Sequence, residues 1–159
     1  MTDILLFAGI LTADRVSKVM VVNLMDLYQS TPVIPSFFHL TYVRNTGGAF
    51  SIMAGWDSPL RRAFFIVVSL CALFLLFYLY RQARRSASIQ VRLAITAIAA
   101  GAVGNLYDRA VTGKVVDFLD VFVGPYHWPA FNVADSAITI GAISMGILFL
   151  RGHMDQMGR

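Results

Sequence analysis

The sequence predicts a mainly α membrane protein: a four-transmembrane-helix bundle with a small extramembrane β element on its outer face. Three observations carry that expectation. Hydrophobic residues fill 57% of the 159 positions and charged residues only 14%, far from the balance of a soluble domain. Residues 63–80 hold no charge at all. All nine acidic residues are aspartate, so the Glu/Lys pairs that decorate water-facing helices are missing. The formal charge of +4 does not indicate nucleic acid, because the basic residues are scattered among apolar segments and form no stripe. Membrane topology accounts for them, since Lys and Arg collect on the cytoplasmic side. Cys71 is the single cysteine and cannot form an intrachain disulfide, so it fixes no redox compartment.

The first span is expected over residues 4–24, although Asp14, Arg15 and Lys18 interrupt its second half. Charges in the middle, with Asp3 rather than a basic run at the start, argue for a retained helix and against a cleaved signal peptide. Asp14 and Lys18 are four residues apart and share a face, so they can pair or point together into a bundle interior. Residues 28–56 change character: Pro32 and Pro35 break helix, and Phe38, Leu40 and Tyr42 alternate with His39, Thr41 and Val43 at a strand-like period of two. The turn signal Asn45-Thr-Gly47-Gly48 follows. A small β element outside the bilayer is expected there, its aromatic side chains suited to the headgroup zone.

The uncharged stretch 63–80 measures about 27 Å as a helix, close to a bilayer core of about 30 Å. It is the second span. Arg81, Arg84, Arg85 and Arg92 then form the densest basic cluster in the chain, which places their loop in the cytoplasm. The amino terminus is cytoplasmic too if the first segment spans. A third span is expected over residues 93–108 and a fourth over 132–150, which returns the carboxyl terminus to the cytoplasm. Ala97/Gly101, Ala100/Gly104, Ala137/Gly141 and Ala142/Gly146 place small residues four apart, where helix backbones can approach closely. No linker divides the chain, so residues 1–159 are read as one membrane-embedded domain.

By this count Asn45, Asp108, Arg109, Asp117 and Asp135 all lie near the outer face. A carboxylate at the edge of hydrocarbon is costly enough to be a functional hypothesis that needs a partner. Asp117 and Asp135 are each other's candidate partner: if they approach, they cannot both ionise and they titrate as a unit. Such a pair can hold water between a base and an acid. Asp135 has a competing explanation as a charge at a helix N-terminus, and Asp108 with Arg109 has one as a snorkelling pair at a helix end. Asp120 reads as a solvated neighbour of Asp117. Ser17 and Lys18 are adjacent and do not face each other, which weakens a serine-lysine dyad. His39, His127 and His153 show no metal-ligand spacing, and Trp56, Tyr126 and Trp128 read as interface anchors. On these residues alone, a peptidase and a proton-coupled carrier stand about level, with a non-catalytic scaffold behind them.

Five ordered blocks add to this reading. Asp14-Arg-Val-Ser-Lys18, Asn45-Thr-Gly-Gly-Ala-Phe50, Gly104-Asn-Leu-Tyr-Asp-Arg109, Val115-Val-Asp-Phe118 and Phe131-Asn-Val-Ala-Asp-Ser136 together resemble lipoprotein signal peptidase (signal peptidase II), an aspartic peptidase family of bacterial inner membranes with four transmembrane helices. The resemblance covers essentially the whole chain. Departures are small: Arg15 stands where glutamine is common, Gly48 where alanine is usual, and Ala100 where glycine is usual. The resemblance implies cleavage of diacylglyceryl-modified prolipoproteins before the lipidated cysteine, with Asp117 and Asp135 activating water and protonating the leaving amine. It also implies positioning or supporting roles for Asn45, Gly47, Asn105, Arg109, Asn132, Asp14, Lys18 and Asp108. No metal or organic cofactor is expected. The partners expected are prolipoprotein substrate and membrane lipid, with no nucleic acid, and the chain is expected to act as a monomer. Both termini would be cytoplasmic and the site would lie near the outer face, open to lipid between helices.

Overall fold

A computed structural model describes residues 1–46, 59–86 and 88–157. Its elements follow in the order α1 (Thr2–Leu24), β1 (Ser30–Ile34), β2 (Phe38–Asn45), α2 (Pro59–Ser86), α3 (Ile89–Val111), β3 (Val115–Val123), β4 (Tyr126–His127) and α4 (Val133–Met157). Among the described residues, α2, α3 and α4 are long and apolar enough to cross a membrane. The first helix has the length, at 23 residues, but it carries Asp3, Asp14, Arg15 and Lys18. Asp14 and Lys18 are among its few buried residues, so its charge is turned inward.

The bundle is organised around α3, which packs against α1, α2 and α4. Small residues allow this. A Cβ on Gly101 would overlap the carbonyl oxygen of Ala134 on α4, and one on Gly141 would lie 2.8 Å from the carbonyl oxygen of Ala94 on α3. Gly146, by contrast, has nothing within 4 Å of where a Cβ would stand, and Ala142 is exposed. The last of the expected small-residue pairs therefore faces outward and makes no helix contact.

The helix ends are set by local chemistry. Ser88 caps α3 by accepting from the Val91 amide, and Arg84 and Arg85 lie in the last turn of α2, where cations complement the helix dipole. Asn132 caps α4 reciprocally: its Oδ1 accepts from the Asp135 amide at 2.9 Å, and the Asp135 carboxylate accepts from the Asn132 amide at 3.2 Å. This is the geometry of a capping box.

The sheet is larger than the sequence suggested. Its order is β1-β2-β3-β4, antiparallel throughout, so residues 115–127 supply half the strands of an element expected only over residues 28–56. The segment around Asp117 is strand, within β3. Residues 47–56 lie outside the described residues, including Gly47, Gly48 and Trp56. Tyr42 and Phe118 meet Val21 of α1 in a small core, which seats the sheet on the end of the bundle. The last rungs between β2 and β3 pair Val43 with Asp117 and Asn45 with Val115, beyond an irregularity after Leu40. That register brings Asn45 beside Asp117.

Candidate active site

Three elements converge on the two aspartates. Asp117 comes from β3 and is 3% exposed; Asp135 comes from the first turn of α4; Asn105 comes from α3 and is buried. Asn132, 0% exposed, joins them. Because its Oδ1 is committed to the Asp135 amide, its Nδ2 must face the other way, and it donates to Asp117 Oδ1 at 2.7 Å. The same amide lies 3.3 Å from Asn105 Oδ1. Asn105 Nδ2 in turn donates to Asp135 Oδ1 at 2.7 Å. Asn45 also donates to the Asp117 side chain. Each carboxylate thus receives an amide N–H whose direction is fixed from behind.

Asn105 owes its orientation to Lys18. The ammonium group can only donate, and its three contacts are Asn105 Oδ1 at 3.0 Å, Asp14 Oδ1 at 3.0 Å and Asp108 Oδ2 at 2.8 Å. Oxygen must therefore face Lys18, which leaves the nitrogen of Asn105 for Asp135. Arg15 completes the cluster at 2.7 Å from Asp108 and 3.5 Å from Asp14, with its guanidinium over the Tyr107 ring. Two cations and two carboxylates balance, as buried charge requires. Arg15 pairs chiefly with Asp108. Asp14 Oδ1 also accepts from the Ala134 amide at 3.1 Å, so a side chain of α1 satisfies one of the unpaired amides at the start of α4. Gly104 leaves room for this carboxylate: a Cβ there would stand 2.6 Å from Asp14 Oδ2.

Asn45, Asn105, Arg109, Asp117 and Asp135 line one cleft of about 910 Å³. Its apolar walls include Val68 and Ala72 of α2 and Ile138 and Ile140 of α4. Val68 and Ile140 are also exposed, so the cleft runs out between α2 and α4 onto the lateral surface of the bundle. Asp14, Lys18 and Asp108 do not line it; they form the ion cluster behind Asn105. Burial, joined by the charge of Asp135, pushes the Asp117 carboxyl up to about 7, against the hydrogen bonds from Asn45 and Asn132. The Arg109 side chain donates to its own helix at Asn105 O, 3.4 Å away, and lies over the Phe65 ring.

Two sequence readings need correction. Asp120 is not a solvated neighbour: it is 8% exposed and accepts from Thr41 Oγ1 at 3.0 Å and from His127 Nδ1 at 2.8 Å. Strand alternation turns it to the opposite face from Asp117. Trp128 is more than an interface anchor, because with Pro129, Ala130 and Phe131 it walls the cleft. The only sequence signal for that wall was an apolar run between Val-Val-Asp-Phe and Asn-Val-Ala-Asp. Ser17 is turned away from catalysis, its hydroxyl donating to Ala13 O at 2.7 Å. Among the described residues, no three His, Cys or Asp side chains are grouped to hold a metal ion.

Residues 6–151 match a family model described as Signal peptidase (SPase) II. The chain belongs to the signal peptidase II family. It is thus an aspartic-type signal peptidase, a membrane protease. Lipoprotein signal peptidases similar to it include one from Geobacter sulfurreducens, 46% identical over 90% of this chain and 88% of that one. Another, from Syntrophotalea carbinolica, is 45% identical over 96% and 91%. Two solved structures, both titled as a bacterial membrane enzyme, share the signal peptidase fold seen here. One has a TM-score of 0.87 at 35% identity, covering 97% of this chain and 90% of the other. The second has a TM-score of 0.82 at 36% identity, covering 94% and 92%.

Proposed function

We propose that this signal peptidase removes the signal peptide from diacylglyceryl-modified prolipoproteins, cleaving before the lipidated cysteine with Asp117 and Asp135 as its catalytic pair. One observation carries the reading. Two carboxylates from different elements, each aimed by an asparagine amide of fixed direction, meet in a cleft whose other walls are apolar and open sideways between helices. A lipopeptide needs both parts: carboxylates for the amide bond and hydrocarbon-lined walls for its acyl chains.

In the proposed step the two carboxyls share one proton at rest; Asp117 carries it, and ionised Asp135 accepts a proton from water. The water oxygen bonds to the scissile carbonyl carbon while Asp117 donates its proton to the carbonyl oxygen. As the tetrahedral intermediate collapses, the C–N bond breaks and the proton gained by Asp135 passes to the leaving amine nitrogen. The proton on the carbonyl oxygen returns to Asp117, which restores the pair. Arg109 supplies positive charge beside the developing oxyanion, and Asn45 orients Asp117 and the substrate backbone. The chemistry needs no metal or organic cofactor.

Four spans fit this reading. Asp14 and Lys18, the charges that set α1 apart from the more apolar helices, are buried against α3 and α4, where intramembrane charges belong. With Arg81, Arg84, Arg85 and Arg92 on the cytoplasmic side, both termini are cytoplasmic and the pair lies near the outer leaflet, where lipidated substrate would arrive. The test is cleavage of a synthetic diacylglyceryl-cysteine peptide by the detergent-purified protein, beside the same peptide without lipid, with products weighed by mass spectrometry. Cleavage before cysteine in the lipidated peptide alone supports the reading. Equal cleavage of both would remove the lipid from the specificity, and cleavage of neither would remove the activity.

A further inference from the structure

The polar face of the sheet carries a closed ring of side chains that catalysis does not use. Asp120 Oδ1 meets His127 Nδ1 at 2.8 Å and Asp120 Oδ2 accepts from Thr41 Oγ1 at 3.0 Å. Thr41 Oγ1 lies 2.9 Å from Ser30 Oγ, and Ser30 Oγ lies 3.1 Å from His39 Nδ1. The His39 ring meets the Phe122 ring edge-on at 4.7 Å, and Phe122 stacks on His127 at 4.4 Å, which closes the ring. Strand register explains the assembly, because Ser30 pairs with Thr41, His39 with Asp120 and Phe122 with His127. One circuit thus crosses all four strands.

Its last member has a particular neighbour. His127 sits on β4, a strand of two residues, and the chain then passes directly into Trp128, Pro129, Ala130 and Phe131, the wall of the cleft. The backbone fixes the two ends of that wall, with the Trp128 amide on Val121 O at 2.8 Å and the Phe131 amide on Leu119 O at 3.1 Å. So short a strand has only two rungs on β3, and the side-chain contacts of His127 add to them in holding it on the sheet. We propose that His127 and Asp120 form a clasp that positions the Trp128 to Phe131 wall for the lipopeptide, which makes them positioning residues for substrate binding. The inference rests on the peptidase reading for its substrate, but not for the clasp itself.

Two measurements test it. In the cleavage assay His127→Ala is expected to raise KM about tenfold with kcat within about twofold, the mark of lost binding rather than lost chemistry. His127→Asn keeps an N–H near the position of Nδ1 and is expected to lie closer to the parent than His127→Phe, which keeps only the ring. The second measurement needs no activity. With Trp56→Phe in the background Trp128 is the only tryptophan, and acrylamide should quench it more strongly in His127→Ala or His127→Phe than in the parent. Unchanged KM at matched folding, or unchanged quenching, would overturn the clasp. A parent that fails to cleave sinks the peptidase reading and leaves the quenching result to decide the clasp. Should His127→Ala not fold, His127→Phe carries both arms, because it keeps the ring on Phe122 and removes the hydrogen bond to Asp120.

Discussion

Asp117 costs the folded protein stability once it ionises. Its carboxyl has an ordinary value of 3.8 and stands at about 7 in the folded protein. The folded state therefore binds the proton more tightly than the unfolded chain, and stability falls as pH rises between those two values. The loss is on the order of 4 kcal/mol by pH 8. Asp117→Asn removes the ionisation and keeps an oxygen for Asn132 to donate to. It is expected to melt above the parent at pH 8, with the difference closing near pH 4; a constant difference across that range would contradict the assignment. Asn132→Ala should go the other way, losing about 1–2 kcal/mol as a helix cap and a further 1–3 kcal/mol for the buried carboxylate left short of a donor. The two aspartates were legible in the sequence, because a carboxylate between apolar segments is conspicuous whatever the fold; the roles of the asparagines came only with the family resemblance. The two accounts of Asp135, helix-terminal charge and catalytic partner, are compatible: it closes the capping box and receives the Asn105 amide. What composition hid was direction. Nothing in the chain order says that Lys18 fixes the amide of Asn105, since that depends on three helices meeting.

At the scale of elements, the approach of α3 to α4 sets the distance from Asn105 to Asp135. At Gly101 the two backbones come close enough that a Cβ would overlap the Ala134 carbonyl oxygen. Gly101→Ala is expected to cost about 1–3 kcal/mol through overpacking and to depress cleavage by moving Asp135 away from the Asn105 amide. Gly146→Ala is the control. It faces open space and should be neutral or stabilising by up to about 1 kcal/mol through helix propensity. Denaturant melting and the cleavage assay on both variants separate close packing from mere loss of glycine. The four helices were legible from hydrophobic runs and flanking charge. The sheet was only half legible: the period of two over Phe38 to Val43 showed β2, while Val115 to Val123 carries one aspartate among apolar residues on each face and shows no alternation. A strand of that kind is read from its partner, and its partner lies about 75 residues earlier.

For the whole molecule, the account places the basic turn between α2 and α3 and the sheet on opposite sides of one bilayer. With Cys71→Ala as background, Val123→Cys should react with a membrane-impermeant maleimide in intact cells, whereas Arg84→Cys should react only after permeabilisation. The reverse pattern would invert the topology. The charges of α1 are turned into the bundle, onto Asn105, Asp108 and the Ala134 amide, rather than onto water.

The central claim is that Asp117 and Asp135 perform the cleavage together, and amidation tests it most directly. Asp117→Asn and Asp135→Asn each remove a titrating carboxyl while nearly preserving shape, so they should be compared with the parent on the diacylglyceryl-cysteine peptide at matched folding. The account predicts cleavage by the parent and a loss of about 10³-fold or more in kcat for either variant, with the double variant little worse than the singles, because the two act as one unit. Substantial turnover in either single variant would contradict it.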